Sequence, residues 1–172
     1  MSAEKRATAL NVLEDNQNAL LYFLEKVDTN LFLHQPTERW SIAELVEHII
    51  LVEKGVLGGI QKAGTKPKEA PITKPLADEK FRQLMRNRTR KIEAPTHFVP
   101  KGIFKDKAAA IAAFNTHRAT VTNFVNTTDI SLTHIGFPHF ALGMLNGIDW
   151  IVFMAGHCER HILQMEEISI EG

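Results

Sequence analysis

The sequence predicts an all-α fold, a four-helix bundle with one long connection between the second and third helices. Three observations predict it. Four segments repeat apolar residues at spacings of three and four, the period of a helix buried on one face. Residues that cap helices stand at the start of two of them. Alternating apolar and polar runs, the mark of half-buried strands, are missing. With 172 residues the chain can build one domain with a real core, so 1–172 is read as a single domain.

In the first helix, Leu10, Leu13, Gln17, Leu20, Leu24 and Val27 share a face, which Asp28, Thr29 and Asn30 break off. The second opens sharply at Trp40-Ser41-Ile42-Ala43-Glu44, where Ser41 is the N-cap and Glu44 completes a capping box. Its stripe is Ile42, Leu45, Ile49, Val52 and Val56, and Gly58-Gly59 and Gly64 close it. The third starts from Asp106 as N-cap and runs through Ala110, Phe114, His117, Val121 and Phe124 to Thr127. The fourth starts after Asn146, with Ile151, Met154, Ala155, Cys158, Ile162 and Met165 as its stripe.

Between helices two and three lie Pro67, Pro71, Pro75, Pro95 and Pro100, with room for a short helix around Asp78–Lys91. So long a connection implies that these two helices are not simple up-down neighbours. A second loop, Ile130–Leu145, carries Gly136, Pro138, Gly143 and two histidines.

Lys+Arg and Asp+Glu are balanced at 20 each, so nothing draws the chain generally to nucleic acid or anionic membrane. The basic run Lys80–Lys91 reads as the solvated face of a helix. No apolar run approaches the ~18 residues of a membrane span, and the polar start MSAEKRATAL lacks the core of a signal peptide. A single cysteine, Cys158, excludes an intrachain disulfide and suits a reducing compartment, so a cytoplasmic location is expected. Cys158 sits at the stripe centre and reads as a buried small apolar residue rather than a nucleophile.

The eight histidines divide by position. His34, His97 and His134 fall in polar or proline-bearing loops, where an exposed imidazole needs no explanation. His117 lies on the apolar stripe of helix three, as a hydrogen-bonded core histidine would, and His139 on the second loop stays open. His157 and His161 are four apart, one above the other on a helix, where two imidazoles can chelate one metal. Cys158 follows His157 where a zincin would have its catalytic glutamate, so that mechanism is not supported. On the helical wheel both fall at one edge of the apolar stripe, and His48 falls at an edge of helix two, with Gly55 leaving space above it. Edge positions on two helices can meet across a cleft; the alternative is three unrelated boundary histidines.

Trp40-Ser41-Ile42-Ala43-Glu44-Leu45-Val46-Glu47-His48 resembles the W-S-x-x-E-x-x-x-H opening of helix two in the DinB-like superfamily. Asp149-Trp150 followed by His157-Cys158-Glu159-Arg160-His161-Ile162-Leu163-Gln164 resembles the H-x-x-R-H-x-x-Q signature of its last helix. With the helix layout, the resemblance spans nearly the whole chain. That superfamily includes bacterial metal-dependent hydrolases and bacillithiol transferases. The resemblance implies metal ligation by His48, His157 and His161, a DinB-like bundle that is often dimeric, and zinc or nickel as the divalent ion. The family's His-Pro-then-Gly element corresponds to Pro138-His139-Phe140-Ala141-Leu142-Gly143, where the order is altered.

Three imidazoles suit a borderline divalent ion and leave a position open for water or substrate. Such an ion can acidify a water for hydrolysis or a low-molecular-weight thiol for S-transfer, and both chemistries stand. Gln164 is a candidate to hydrogen-bond a ligand histidine. Glu44, one turn before His48, is a weak catalytic candidate beside its capping role. The partner expected is a small molecule, not nucleic acid or membrane. Against an enzyme stand a non-catalytic metal- or ligand-binding bundle and a plain helical interaction module.

Overall fold

In the computed structural model, which describes residues 3–68, 72, 84–89 and 93–171, the four amphipathic segments become four long helices. They are α1 (Ala3–Lys26), α3 (Ile42–Gly64), α4 (Lys107–Thr127) and α5 (Gly147–Glu171), with a short α2 (Thr29–Leu33) after the first. A 3₁₀ turn at Thr96–Phe98 precedes α4, and β1 (Gly136–His139) pairs antiparallel with β2 (Gly143–Asn146) just before α5. That hairpin departs from the expected loop. Its strands are four residues each and carry no alternation long enough to read. Of the helix expected around Asp78–Lys91, only a turn at 84–86 falls within the described residues. No helix among the described residues is long and apolar enough to cross a membrane.

Local chemistry sets the helix starts. Ser41 Oγ accepts from the Glu44 amide while Glu44 Oε2 accepts from the Ser41 amide at 2.8 Å, a complete capping box. Asp106 caps α4 through the amides of Ala108 and Ala109. Asn146 caps α5 by accepting from Ile148 and Asp149, and Asp149 returns the bond to the Asn146 amide. Asp28, expected only to end the first helix, also caps α2. The Gly58-Gly59 pair does not close α3, which runs on to Gly64. A Cβ at Gly59 would stand 2.5 Å from the ring of Phe137, so this glycine admits the hairpin against the helix rather than ending it.

The core falls into two clusters that reveal helix direction. The first half of α3, with Ile42, Leu45 and Ile49, packs with Phe114 from the first half of α4 and with Leu24 and Met165 from the ends of α1 and α5. The second half of α3, with Val56 and Ile60, packs with Val121 and Val125 of α4 and with Leu13 and Ile151 near the starts of α1 and α5. Hence α3 and α4 run parallel, and α1 and α5 run against them. Contacting pairs are α1–α5, α5–α3, α3–α4 and α4–α1. Parallel neighbours cannot be joined by a tight turn, because the chain must return along a helix of ~34 Å, at ~1.5 Å per residue. That is the physical reason for the long connection between α3 and α4.

Between the two clusters lies a polar layer to which each long helix contributes. Arg118 of α4 donates to both carboxylate oxygens of Glu53 on α3, at 2.6 and 2.9 Å, to the Asn16 side chain at 2.8 Å and to the Leu13 carbonyl at 2.9 Å, both on α1. Glu53 and Arg118 are both fully buried. Cys158 of α5 lies in the same layer, its thiol pushed up to about 12, chiefly by burial.

His117 Nε2 comes 3.5 Å from Glu53 Oε2, but the Arg118 guanidinium already neutralises that carboxylate. Burial dominates, the cations Lys54 and Arg118 reinforce it, and the imidazole is pulled down to about 4. The unfolded chain therefore takes up a proton here from about pH 6.5 that the folded chain refuses until about pH 4. The contribution of His117 to stability is full above pH 6.5, falls as the pH drops to 4, and levels off below. Comparing urea midpoints of wild type and His117→Leu across that window, we expect the wild type to lose about 3 kcal/mol more. Parallel pH profiles would contradict this.

Candidate metal centre

Helix α3 delivers His48, and α5 delivers His157 and His161 from successive turns; α3 and α5 are neighbours, so the three rings meet between them. His48 and His161 are buried, and His157 is partly open. The Nε2 atom of His157 lies 3.3 Å from Nε2 of His48 and 3.2 Å from Nε2 of His161. All three ligand atoms lie within 4.8 Å of one another.

Tautomers follow from the partners. His48 donates from Nδ1 to the Phe98 carbonyl at 2.7 Å, and His161 donates from Nδ1 to Gln164 Oε1 at 3.0 Å. Their Nε2 atoms are then bare lone pairs aimed at the shared centre. His157 Nδ1 is buried without a hydrogen-bond partner. Burial lowers the pKa of all three, His161 to about 3; the neighbouring rings add to it at His157 and His161, while the Phe98 carbonyl partly offsets it at His48. Converging neutral imidazoles are the donor set of a cation. Ligand nitrogens at about 2.0–2.1 Å from an ion, at a tetrahedral angle, stand about 3.3 Å apart. The two shortest separations here match that figure.

A supporting shell holds the rings. The Phe98 carbonyl reaches His48 because the Phe98 ring lies against Gly55, where a Cβ would come within 2.6 Å of it. The space above His48 is thus filled by the residue that fixes its tautomer. Glu47, buried beside His48, accepts from the amides of Lys101 and Ile103 at 2.8 and 3.0 Å and so anchors the segment that follows Phe98. Arg88 donates at 3.3 Å to the Gln164 oxygen that His161 uses, and pairs through two 2.7 Å bonds with Glu167. Arg86 pairs with Glu159 at 2.6 Å. The described part of the basic run is therefore ion-paired to α5 rather than a solvated face.

Sequence reasoning missed Glu47 and Arg88, since a buried carboxylate and a surface arginine look alike until their partners are known. Glu44 has its carboxylate in the capping box and does not line the cavity over the histidines.

That cavity holds about 710 Å³. Aromatic side chains dominate its wall: Trp40, Phe98, Phe137, Trp150 and Phe153, with Phe140 at the hairpin tip, surround the three histidines. Trp40 lies 4.8 Å, ring to ring, from His48. Trp150 stacks on Phe137 at 4.2 Å and donates to its carbonyl, so both tryptophans serve packing and wall alike. His139 lines the cavity too, whereas His117 lies in the polar layer away from it. Cys158 points into the core and cannot act as the nucleophile.

The chain is 26% identical over 142 residues to the uncharacterized protein YuaE of Bacillus subtilis (strain 168), covering 83% of this chain and 85% of YuaE. Its fold is similar to that of YfiT from Bacillus subtilis, described as a probable metal-dependent hydrolase with an unusual four-helix bundle topology. The TM-score is 0.65 at 17% identity, over 99% of this chain and 89% of that one. The DinB superfamily model matches residues 12–165, and the chain belongs to that superfamily.

Proposed function

We propose that the protein is a cytoplasmic metal-dependent enzyme that holds one zinc or nickel ion through His48, His157 and His161 and acts on a small molecule in the aromatic cavity. One observation carries this reading: the bare Nε2 lone pairs of buried, neutral His48 and His161 converge with Nε2 of the partly open His157 at ligand spacing on the floor of a cavity. Lone pairs do not gather in a dry site without a cation or proton between them, because their mutual repulsion and lost hydration are uncompensated.

A bound divalent ion supplies Lewis acidity, which acidifies a water or thiol nucleophile and polarises an acceptor oxygen. The chain's own residues do the rest. His48 and His161 present their nitrogens in fixed tautomers, held by Phe98 and Gln164. The aromatic wall excludes bulk water and strengthens every polar interaction inside. With the Cys158 thiol excluded, this reading takes its nucleophile from solution, as water for a hydrolase or a low-molecular-weight thiol for an S-transferase. The YfiT description favours hydrolysis as the first activity to assay. A bundle that held only an ion would leave so large a cavity unused, whereas a non-catalytic ligand-binding bundle would fill it, and turnover separates that reading from an enzyme.

Metal content measured by plasma mass spectrometry tests the centre. Wild type is expected to hold about one equivalent of zinc or nickel, and His157→Ala/His161→Ala none. A wild type that neither contains nor takes up either ion at neutral pH would sink the reading. Gln164→Ala keeps all three ligands but frees His161 to turn, so competition with a chromogenic chelator should show about 10–100-fold weaker binding. Unchanged affinity would remove Gln164 from the site.

A further inference from the structure

Besides the three histidines of the centre, the exposed His97 and the buried His139 line the cavity, and the geometry of His139 sets it apart. It ends β1 at the turn of the hairpin, and the amides of Ala141 and Leu142 both donate to its Nδ1, at 3.1 and 3.2 Å. Two backbone donors on one nitrogen leave the proton of a neutral ring on the other, so Nε2 is an N–H donor. The residue is 91% buried by its 9% exposure, packed 4.8 Å from Phe153 and 5.4 Å from Trp150, ring to ring. It lines the cavity, and among the described residues Nε2 has no hydrogen-bond partner. Phe153 is the ring between it and the centre, lying 5.5 Å from His157.

The hairpin locks the tautomer of a ring that is otherwise buried and leaves its Nε2–H accessible, so the donor is placed to meet an acceptor in the cavity. We propose that His139 Nε2–H anchors the ligand: the cavity takes a largely apolar, aryl-bearing molecule whose neutral carbonyl-type oxygen accepts from His139, one ring away from the three-histidine centre. The surroundings choose that class. Trp150, Phe153 and Phe140 enclose the donor, so an aryl body fits beside it, while a carboxylate there would be buried against a neutral ring with its charge uncompensated. His139 cannot serve the ion in this tautomer, since its lone pair is taken by the backbone. The inference rests on the cavity being the substrate site, as proposed above, but not on the ion.

The test uses a matched pair of probes, 2-acetylnaphthalene and 2-isopropylnaphthalene, which differ in the acceptor oxygen and little in shape. Equilibrium dialysis gives their Kd values on wild type, His139→Phe and His139→Gln, each zinc-loaded and metal-free. In His139→Phe the ketone should weaken roughly ten-fold relative to the hydrocarbon, the worth of one net hydrogen bond. His139→Gln, which keeps an N–H donor, should retain most of the preference. A ketone-to-hydrocarbon ratio unchanged in His139→Phe overturns the anchor, and so does a wild type that binds neither probe. Loss of zinc uptake in both variants would make His139 part of the metal site and overturn it as well. Should the protein take up no metal, the centre fails on its own, while a ketone preference that vanishes in metal-free His139→Phe still supports the anchor.

Discussion

Replacing Arg118 by alanine should destabilise the protein by about 3–5 kcal/mol, the cost of stranding a buried carboxylate. The guanidinium makes four hydrogen bonds in a layer that water does not reach: two to Glu53, one to Asn16 and one to the Leu13 carbonyl. Its removal leaves Glu53 fully buried with its charge unpaired, and the carboxyl must take up a proton or draw in water. A domain of this size has about 5–15 kcal/mol in total, so the thermal midpoint should fall by roughly 10 °C or more.

The comparison that isolates the charge is Glu53→Met/Arg118→Leu, which replaces the pair with apolar side chains and should recover most of the loss. Thermal and urea unfolding of the three proteins decide it. If Arg118→Ala loses less than ~1 kcal/mol, the layer is hydrated and the pair is not the buried bridge described here.

Zinc or nickel should raise the thermal midpoint of the wild type, and this rise should vanish in His157→Ala/His161→Ala. Any ion that binds the folded chain alone stabilises it by RT ln(1 + [L]/Kd), about 2.7 kcal/mol at 100 Kd and about 4.1 at 1,000 Kd. For a chain of this length that is roughly 5–15 °C. The three histidines come from helices far apart in sequence, so the unfolded chain holds at most the His157–His161 pair and competes weakly. His157 also has a buried Nδ1 with no partner, and its Nε2 can share a proton with only one of the two Nε2 atoms beside it, so the metal-free centre leaves polar groups unsatisfied. Calorimetry with and without chelator measures the shift. A wild-type midpoint indifferent to added ion would leave the cluster as three packed core histidines.

Much of the centre is legible in the sequence for simple reasons. A spacing of four places His157 and His161 on one face whatever the tertiary context, and the Ser41–Glu44 box starts α3 by local hydrogen bonds alone. His48 at the edge of the next stripe completes the set once α3 and α5 are neighbours, which the two sequence blocks implied by resemblance and the helix packing shows. The apolar stripe of α5 is buried throughout as its period requires. On α1 the buried face is shifted: Ala9 and Asn16 lie inside while Leu10 and Gln17 stand at its margin.

The rest depends on neighbours that no period encodes. Glu53 and Arg118 read as ordinary surface charges until α1, α3 and α4 close around them, because a charge may be buried only where an exact partner awaits it. The Phe98 carbonyl and Glu47 act across the long connection, bringing residues fifty positions apart into hydrogen-bond contact. The hairpin that carries His139 is two short strands held by pairing with each other and by the space Gly59 leaves for Phe137, so its existence is a tertiary fact. Sequence alone therefore determined the four long helices and the caps of α3 and α4, since these rest on local hydrogen bonding and on one-sided burial, and with the family resemblance it named the candidate ligands. Tertiary structure alone decided the parallel order of α3 and α4, the buried ion pair, the tautomer of each histidine and the aromatic cavity, since each needs groups that meet only when the chain is folded.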